Sequence, residues 1–205
     1  MRMVVFMLKF STISEGLTQV IKSNNIATDE TKLEQIEYGI YMAISEIVKI
    51  AAILIISAFL NIIPYTLTAM VVFGTHRVFI GGFHAKTHWG CFLLYAGIVL
   101  GTIFVSFHLN INMIILCMLI YPICMLIAYK YAPADIANKP VASKKQRRYL
   151  RTGGFIFLTL VFVSALIVPQ PYANILVIVT LIECITMLPI VYRITGNKYG
   201  WEEVE

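Results

Sequence analysis

Charge is what this sequence has least of. Only 13% of its 205 residues are Lys, Arg, Asp or Glu, roughly half of the ~25% usual for soluble domains. That shortage excludes an ordinary soluble enzyme, and it excludes a disordered chain, which needs low hydrophobicity and high charge. Paired cysteines are lacking too. Cys91, Cys117, Cys124 and Cys184 show no paired spacing and read as reduced packing residues, which excludes a disulfide-stapled secreted domain. Met1 to Phe10 is apolar but interrupted by Arg2 and Lys9, with no small-residue cleavage site closing it, so no removable signal peptide is expected. Internal repeats and low-complexity tracts are also missing.

Hydrophobic residues fill the space that charge leaves. They make up 59% of the chain, with a mean hydropathy of +0.81. Uncharged runs extend from Ile50 to His76, from Cys91 to Tyr129 apart from His108, and from Thr152 to Ile182. A bilayer span needs about 20 mostly apolar residues, so each run holds one or two spans. The expected fold is an all-α polytopic membrane protein with about six transmembrane helices. They run near Ile40–Ile63, Tyr65–Ile80, Cys91–Phe107, Ile111–Tyr129, Thr152–Val168 and Tyr172–Tyr192. The breaks fall at Asn61 to Pro64, His108 to Asn112, and Pro169-Gln170-Pro171, where proline or turn-forming Asn interrupts the pattern. The chain reads as one domain over 1–205: a cytoplasmic or interfacial segment at 1–38, a bundle at 40–192 and a tail at 193–205.

The basic residues set the orientation. The net charge is +5, and in a membrane protein this is first a topology signal rather than a sign of nucleic acid, so no nucleic-acid partner is expected. Lys139, Lys144, Lys145, Arg147, Arg148 and Arg151 crowd into the connection between spans four and five. With that loop cytoplasmic, the tail charges and Arg77 and Lys86 fall on the same side, and the opposite hairpins hold no Lys or Arg. Both termini are therefore expected in the cytoplasm. Within a span only Lys49 is charged basic, near Glu46, three residues earlier. Phe6, Phe10, Ile13, Leu17, Val20 and Ile21 recur at three- and four-residue steps, the pattern of an N-terminal amphipathic helix on the inner leaflet, ended by Ser23-Asn24-Asn25. The basic connection itself suits either anionic lipid or an acidic peptide.

Chemistry concentrates in Thr75 to Cys91. Three of the four histidines and three of the twelve glycines fall there, and ionisable groups at membrane depth are costly enough to mark function. Three readings stay open. Cys91 is a nucleophile with His84 as its base; seven residues along a straight helix would part them by about 10.5 Å, so the chain must bend, and Gly81-Gly82 and Gly90 are where it can. The start of the third span would favour the thiolate through the helix dipole, and backbone amides near Gly90 and Cys91 are candidate oxyanion donors. Alternatively His84, His88 and Cys91 bind a metal, although Ala85 stands where the hydrolytic zinc motif has its Glu. Lastly, Trp89 and the basic residues are an interfacial anchor without chemistry. His76 and His108 read as interfacial or packing residues. Glu183, the acidic group deep in a span, either orients a His or Arg or pairs with Arg77.

Arg77, Gly82, His84 and Cys91 at their mutual spacing resemble the accessory gene regulator B family, membrane peptidases of Gram-positive peptide quorum sensing. Tyr131-Ala132-Pro133-Ala134 followed by Lys139-Pro140, and Glu183 within Ile182 to Ile190, resemble two further stretches of that family. The resemblance implies a cysteine endopeptidase at the cell membrane, its site near the cytoplasmic face, with Cys91 as nucleophile, His84 as partner, and Arg77 and Gly82 supporting them. It implies no cofactor and no metal. It implies a small precursor peptide as partner, whose C-terminal tail is released while a thiolactone forms, and a homodimer is a further family-level expectation. One departure is that the family's lysine run before the proline is reduced here to Lys139, with Lys144 and Lys145 as substitutes farther along. The competing class is a small transporter, exporter or interaction protein without catalysis, which would be indifferent to loss of Cys91.

Overall fold

The computed structural model describes residues 30–83, 85, 87–135, 141 and 143–199, together with Gln19. Among the described residues there are seven helices, and extended pairing is limited to one isolated bridge between Gly81 and Ala134. The chain divides into two units, residues 1–60 and 61–205.

The described part of the first unit is α1, Glu30–Phe59. It begins well before the expected span start near Ile40, because Glu30-Thr-Lys-Leu-Glu-Gln is rich in residues that lose little side-chain freedom in a helix. Lys49 donates to Glu46 across 2.6 Å, the pairing expected for a lone basic group in an apolar run. Ser57 returns its hydroxyl to Ile53 O, so its polarity is met inside the helix. The expected N-terminal amphipathic helix lies outside the described residues apart from Gln19.

The second unit contains α2 (Ile63–Ile80), α3 (His88–His108), α4 (Met113–Tyr131), α5 (Lys144–Ala165), α6 (Tyr172–Thr186) and α7 (Pro189–Thr195). The breaks fall where the sequence placed them. Asn61 turns the chain with a φ of 55°, and Pro64 then sits in the first turn of α2, where no intrahelical N–H is needed. Asn112 caps α4 by accepting from the amides of Ile114 and Ile115. Helix α6 is the centre of this unit and packs against α2, α3, α4 and α5. Surrounded in this way, it buries apolar residues all round, with Ile175, Val177 and Val179 fully enclosed.

Helices α2, α3 and α4 are each long and apolar enough to cross a membrane, and α6 with α7 adds a fourth crossing if that bent pair is one span. Two expected segments are corrected. Lys144 to Arg151 is not loop but the first two turns of α5, since Lys, Gln and Arg are good helix formers; the apolar remainder from Thr152 to Ala165 rises only ~21 Å. The last span is not continuous from Tyr172 to Tyr192 either. It stops at Thr186 and resumes at Pro189, bent by 68°, because proline offers no amide to the preceding turn and crowds its carbonyl.

The distribution of side chains is that of a protein solvated by lipid. Leu93, Phe104, Met118, Leu126 and Ile167 face outward, while His76, Asn174, Thr180 and Glu183 are fully buried. In water such an apolar exterior would drive association; in hydrocarbon it is the soluble face, and polar groups must find partners inside.

Candidate functional site

The site begins where α2 ends. Gly81 caps that helix with a φ of 74°, and Gly82 follows at 128°, a region open to glycine and strained for other residues. The space is closed as well as the conformation. A Cβ on Gly81 would run into the backbone of Ala134, and one on Gly82 would run into the Arg77 guanidinium and the Thr186 hydroxyl. The backbone therefore approaches two neighbours as closely as it can. Gly82 N–H donates to Ala134 O at 2.8 Å and Ala134 N–H donates to Ile80 O at 2.8 Å, joining the turn after α2 to the segment after α4.

Arg77 holds the next residues. Its Nη2 donates to Phe83 O at 2.6 Å. Its Nη1 faces Thr186 Oγ1 at 3.1 Å, Gly81 O at 3.3 Å and Glu183 Oε2 at 3.5 Å. The rings of Phe73 and Phe83 lie beside the guanidinium, 5.4 and 5.9 Å from centroid to charge. A planar fork with several fixed donors suits this task, where an ammonium could serve only one direction at a time. Glu183 is fully buried and supplies the countercharge. Of the two roles left open for Glu183, the geometry shows the ion pair with Arg77.

The bend between α6 and α7 completes the knot. Thr186, the last residue of α6, donates to Glu183 O at 2.7 Å while accepting from Arg77. Past the bend, Tyr192 is buried and its hydroxyl donates to Ala134 O at 2.8 Å, and Tyr199 stacks on its ring at 4.1 Å. Asp135 pairs with Arg147 at 2.8 Å and accepts from Val141 N–H at 2.8 Å, which anchors the start of α5 to the same segment. Arg77 and Gly82, Ala134, and Glu183 with Thr186, drawn from the three stretches that carry the resemblance, thus meet.

On the far side of the turn, Thr87 caps α3. Its hydroxyl accepts from Gly90 N–H at 3.0 Å, and its carbonyl accepts from Cys91 N–H at 2.9 Å. The Gly90 and Cys91 amides are thus engaged at the start of α3. Cys91 itself is a free, half-buried thiol one turn into α3, whereas Cys117, Cys124 and Cys184 are free and buried. His84 and Lys86 lie outside the described residues, as do Lys139 and the side chain of His88. Lys144 and Lys145 are exposed on the first turn of α5. His76 is packed, with Nε2 3.0 Å from Thr180 Oγ1 and its ring edge-on to Phe157. His108 is exposed at the end of α3.

Sequence reasoning missed Thr87, Asp135, Arg147, Thr186 and Tyr192 as parts of this arrangement. For Thr87 a signal existed, since Thr directly before a long apolar run is a helix-start signature. The others carry no local mark; each acquires its role only from a partner distant in sequence.

Similarity to known proteins agrees with this architecture. The family model described as accessory gene regulator B matches residues 14–187. The accessory gene regulator protein B of Staphylococcus aureus strain MW2 is 30% identical over 184 residues, covering 88% of this chain and 94% of that protein. Its counterpart in Staphylococcus intermedius is 34% identical over 133 residues, covering 64% of this chain and 69% of its own. No solved structure matches. A match along most of the length, across the glycine turn, the α4–α5 connection and α6, places the chain in the accessory gene regulator B family.

Proposed function

We propose that this protein is a membrane cysteine endopeptidase of peptide quorum sensing, which cleaves the C-terminal tail from a small precursor and closes the remainder into a thiolactone. The observation that carries the reading is the bracketing of residue 84. Phe83, just before it, is held through its carbonyl by Arg77, and Thr87, three residues after it, caps the helix that bears Cys91. A histidine between two fixed points, close in sequence to a half-buried thiol at a helix start, suits a base–nucleophile pair.

In this mechanism His84 takes the proton of Cys91, and the sulfur attacks the carbonyl joining the signal segment to its tail. The C–N bond breaks, the tail leaves as an amine protonated by His84, and an acyl-thioester stays on Cys91. A cysteine within the precursor attacks that thioester, its proton returning through His84 to Cys91, and the ring closes. Among first-turn amides of α3, those of His88 and Trp89 are the proposed oxyanion donors, because the next two are engaged. Amide to thioester is uphill, so water must be kept from the acyl-enzyme, which favours a site at the edge of an apolar bundle. Arg77, Gly82 and Glu183 shape the turn rather than touch the peptide. Lys139, Lys144 and Lys145 would meet an acidic tail. The placement is the cell membrane, with six crossings, both termini cytoplasmic and the site near the cytoplasmic face, as the sorting of basic residues favours.

The test is reconstitution in lipid with a candidate precursor followed by mass spectrometry. Wild type is expected to release the tail and carry an acyl adduct on Cys91, and Cys91→Ala and His84→Ala to do neither. Cleavage persisting in Cys91→Ala would remove the nucleophile, and inhibition of that cleavage by chelators would turn attention to a metal at His84 and His88.

A further inference from the structure

Two donors converge on one buried carbonyl. Ala134 O accepts from Gly82 N–H at 2.8 Å and from the Tyr192 hydroxyl at 2.8 Å, which uses both of its lone pairs. The amide of the same residue donates to Ile80 O, also at 2.8 Å. Ala134 is 1% exposed and Tyr192 2%, so water cannot stand in for either donor. A Cβ on Gly81 would strike the same oxygen. The place of Ala134 O therefore decides where the chain runs after α2. Among the described residues, Tyr192 supplies the side-chain bond to it.

Tyr192 is itself held in place. Helix α7 ends in Gly196, whose φ of 65° turns the chain back, and Asn197 N–H closes that turn by donating to Tyr192 O at 2.9 Å. The return lays the Tyr199 ring on the Tyr192 ring, 14° from parallel. Tyr199 in turn donates to Met187 O at 2.6 Å, a carbonyl that the break between α6 and α7 leaves outside either helix. The carbonyl before it, Thr186 O, faces Phe83 N–H at 3.5 Å. The bent α6–α7 pair thus meets the glycine turn on both sides of Pro189, at Phe83 directly and at Gly82 through Ala134. A buried phenol needs an acceptor somewhere; here the acceptor is the one that also binds Gly82.

We propose that Tyr192 is a positioning residue of the reaction: through Ala134 O it fixes the course of Gly82 and Phe83, and so the approach of residue 84 to Cys91. It acts on the turn and not on the peptide. The inference rests on the reading of His84 and Cys91 as the reacting pair, and it gives the helix after the bend a part in that pair's geometry. Reacting groups must be held closely in place, and two successive glycines have no side chains with which to hold their own course. Arg77 grips Phe83 O; Tyr192 grips the preceding residue through Ala134.

The experiment uses the full-length protein in lipid nanodiscs, with two readouts taken per folded protein. One is release of the tail from a candidate precursor. The other is the rate at which iodoacetamide alkylates Cys91 at fixed pH, which needs no precursor. Tyr192→Phe keeps the ring and its stacking and removes only the hydroxyl. It is expected to lower kcat about tenfold with KM unchanged, and to slow the alkylation severalfold. Unfolding would act on the thiol in the opposite sense, exposing it and speeding alkylation. Tyr121→Phe, which removes a hydroxyl 3.2 Å from Thr159 Oγ1 between α4 and α5, is expected to change neither readout. His84→Ala sets the scale and is expected to slow alkylation at least as far as Tyr192→Phe. Wild-type behaviour of Tyr192→Phe, faster alkylation, or losses no greater than those of Tyr121→Phe would overturn the proposal. Alkylation slowed by both His84→Ala and Tyr192→Phe, with no precursor processed by wild type, would sink the peptidase reading alone. Alkylation of His84→Ala at the wild-type rate would sink the reacting pair itself, and the assignment of Tyr192 with it.

Discussion

At the scale of single residues, Arg77 carries the arrangement because it satisfies several acceptors that the glycine turn and the bent helix would otherwise leave unmet. Removing one member of a buried ion pair strands the other, at about 3–5 kcal/mol, whereas replacing both is far milder. Arg77→Met is therefore expected to destabilise the protein strongly in thermal unfolding. Adding Glu183→Gln should recover much of that stability yet restore none of the peptide processing, since Phe83 O remains unheld. Full recovery of processing in the double variant would show that the clamp on residue 83 does not matter. Gly82→Ala is expected to act by a different route. Its new methyl meets the Arg77 guanidinium at a backbone conformation costing a non-glycine residue on the order of 1–3 kcal/mol, so processing should fall even where the fold survives. Alkylation of Cys91 in folded protein separates a misplaced thiol from an unfolded one. Arg77 also joins stretches far apart in the sequence: Thr186 is 109 residues away and Glu183 is 106.

At the scale of elements, the ends of helices matter more than their middles. Thr87 determines where α3 starts and so the height at which Cys91 emerges. Thr87→Val keeps the shape but loses the bond to Gly90, with an expected cost of ~1 kcal/mol, and Thr87→Ser should restore both stability and processing. If Thr87→Val processed peptide at the wild-type rate, the cap would be merely structural. The break at Pro189 does comparable work from the other direction. A straight helix through Thr186 would carry Tyr192 onward along the axis of α6; the 68° bend instead brings its hydroxyl to Ala134. The proline was legible in the sequence, but the consequence of the kink was not, because an apolar run interrupted once reads equally well as one span or as a broken one.

For the whole molecule, the apolar exterior of the described residues agrees with a lipid solvent, and the basic residues argue for the direction of insertion. The six-crossing proposal has a direct check by cysteine accessibility in a background without other reactive thiols. Ser143→Cys, before α5, and Asn110→Cys, between α3 and α4, are expected to label from opposite sides of sealed vesicles, Ser143→Cys from the cytoplasmic side. Labelling of both from one side would remove that topology. The expected homodimer is separable from this, since it concerns which outward faces meet rather than how often the chain crosses.

Composition and period alone determined that the chain is helical, that it belongs in lipid, where Asn61, Asn112 and Pro169 to Pro171 turn it, and that histidine and glycine gather in Thr75 to Cys91. These are local properties: hydropathy sums over neighbours, and turn chemistry acts within three or four residues. Only the tertiary structure decided that α6 lies at the centre of the second unit and that Glu183 serves Arg77. It also decided that Thr186 meets Arg77, that Tyr192 meets Ala134, and that the Gly90 and Cys91 amides are already engaged. The physical reason is that a buried polar group in hydrocarbon must be answered by some partner, and which partner answers is decided by how helices far apart in sequence pack, not by the residues beside it.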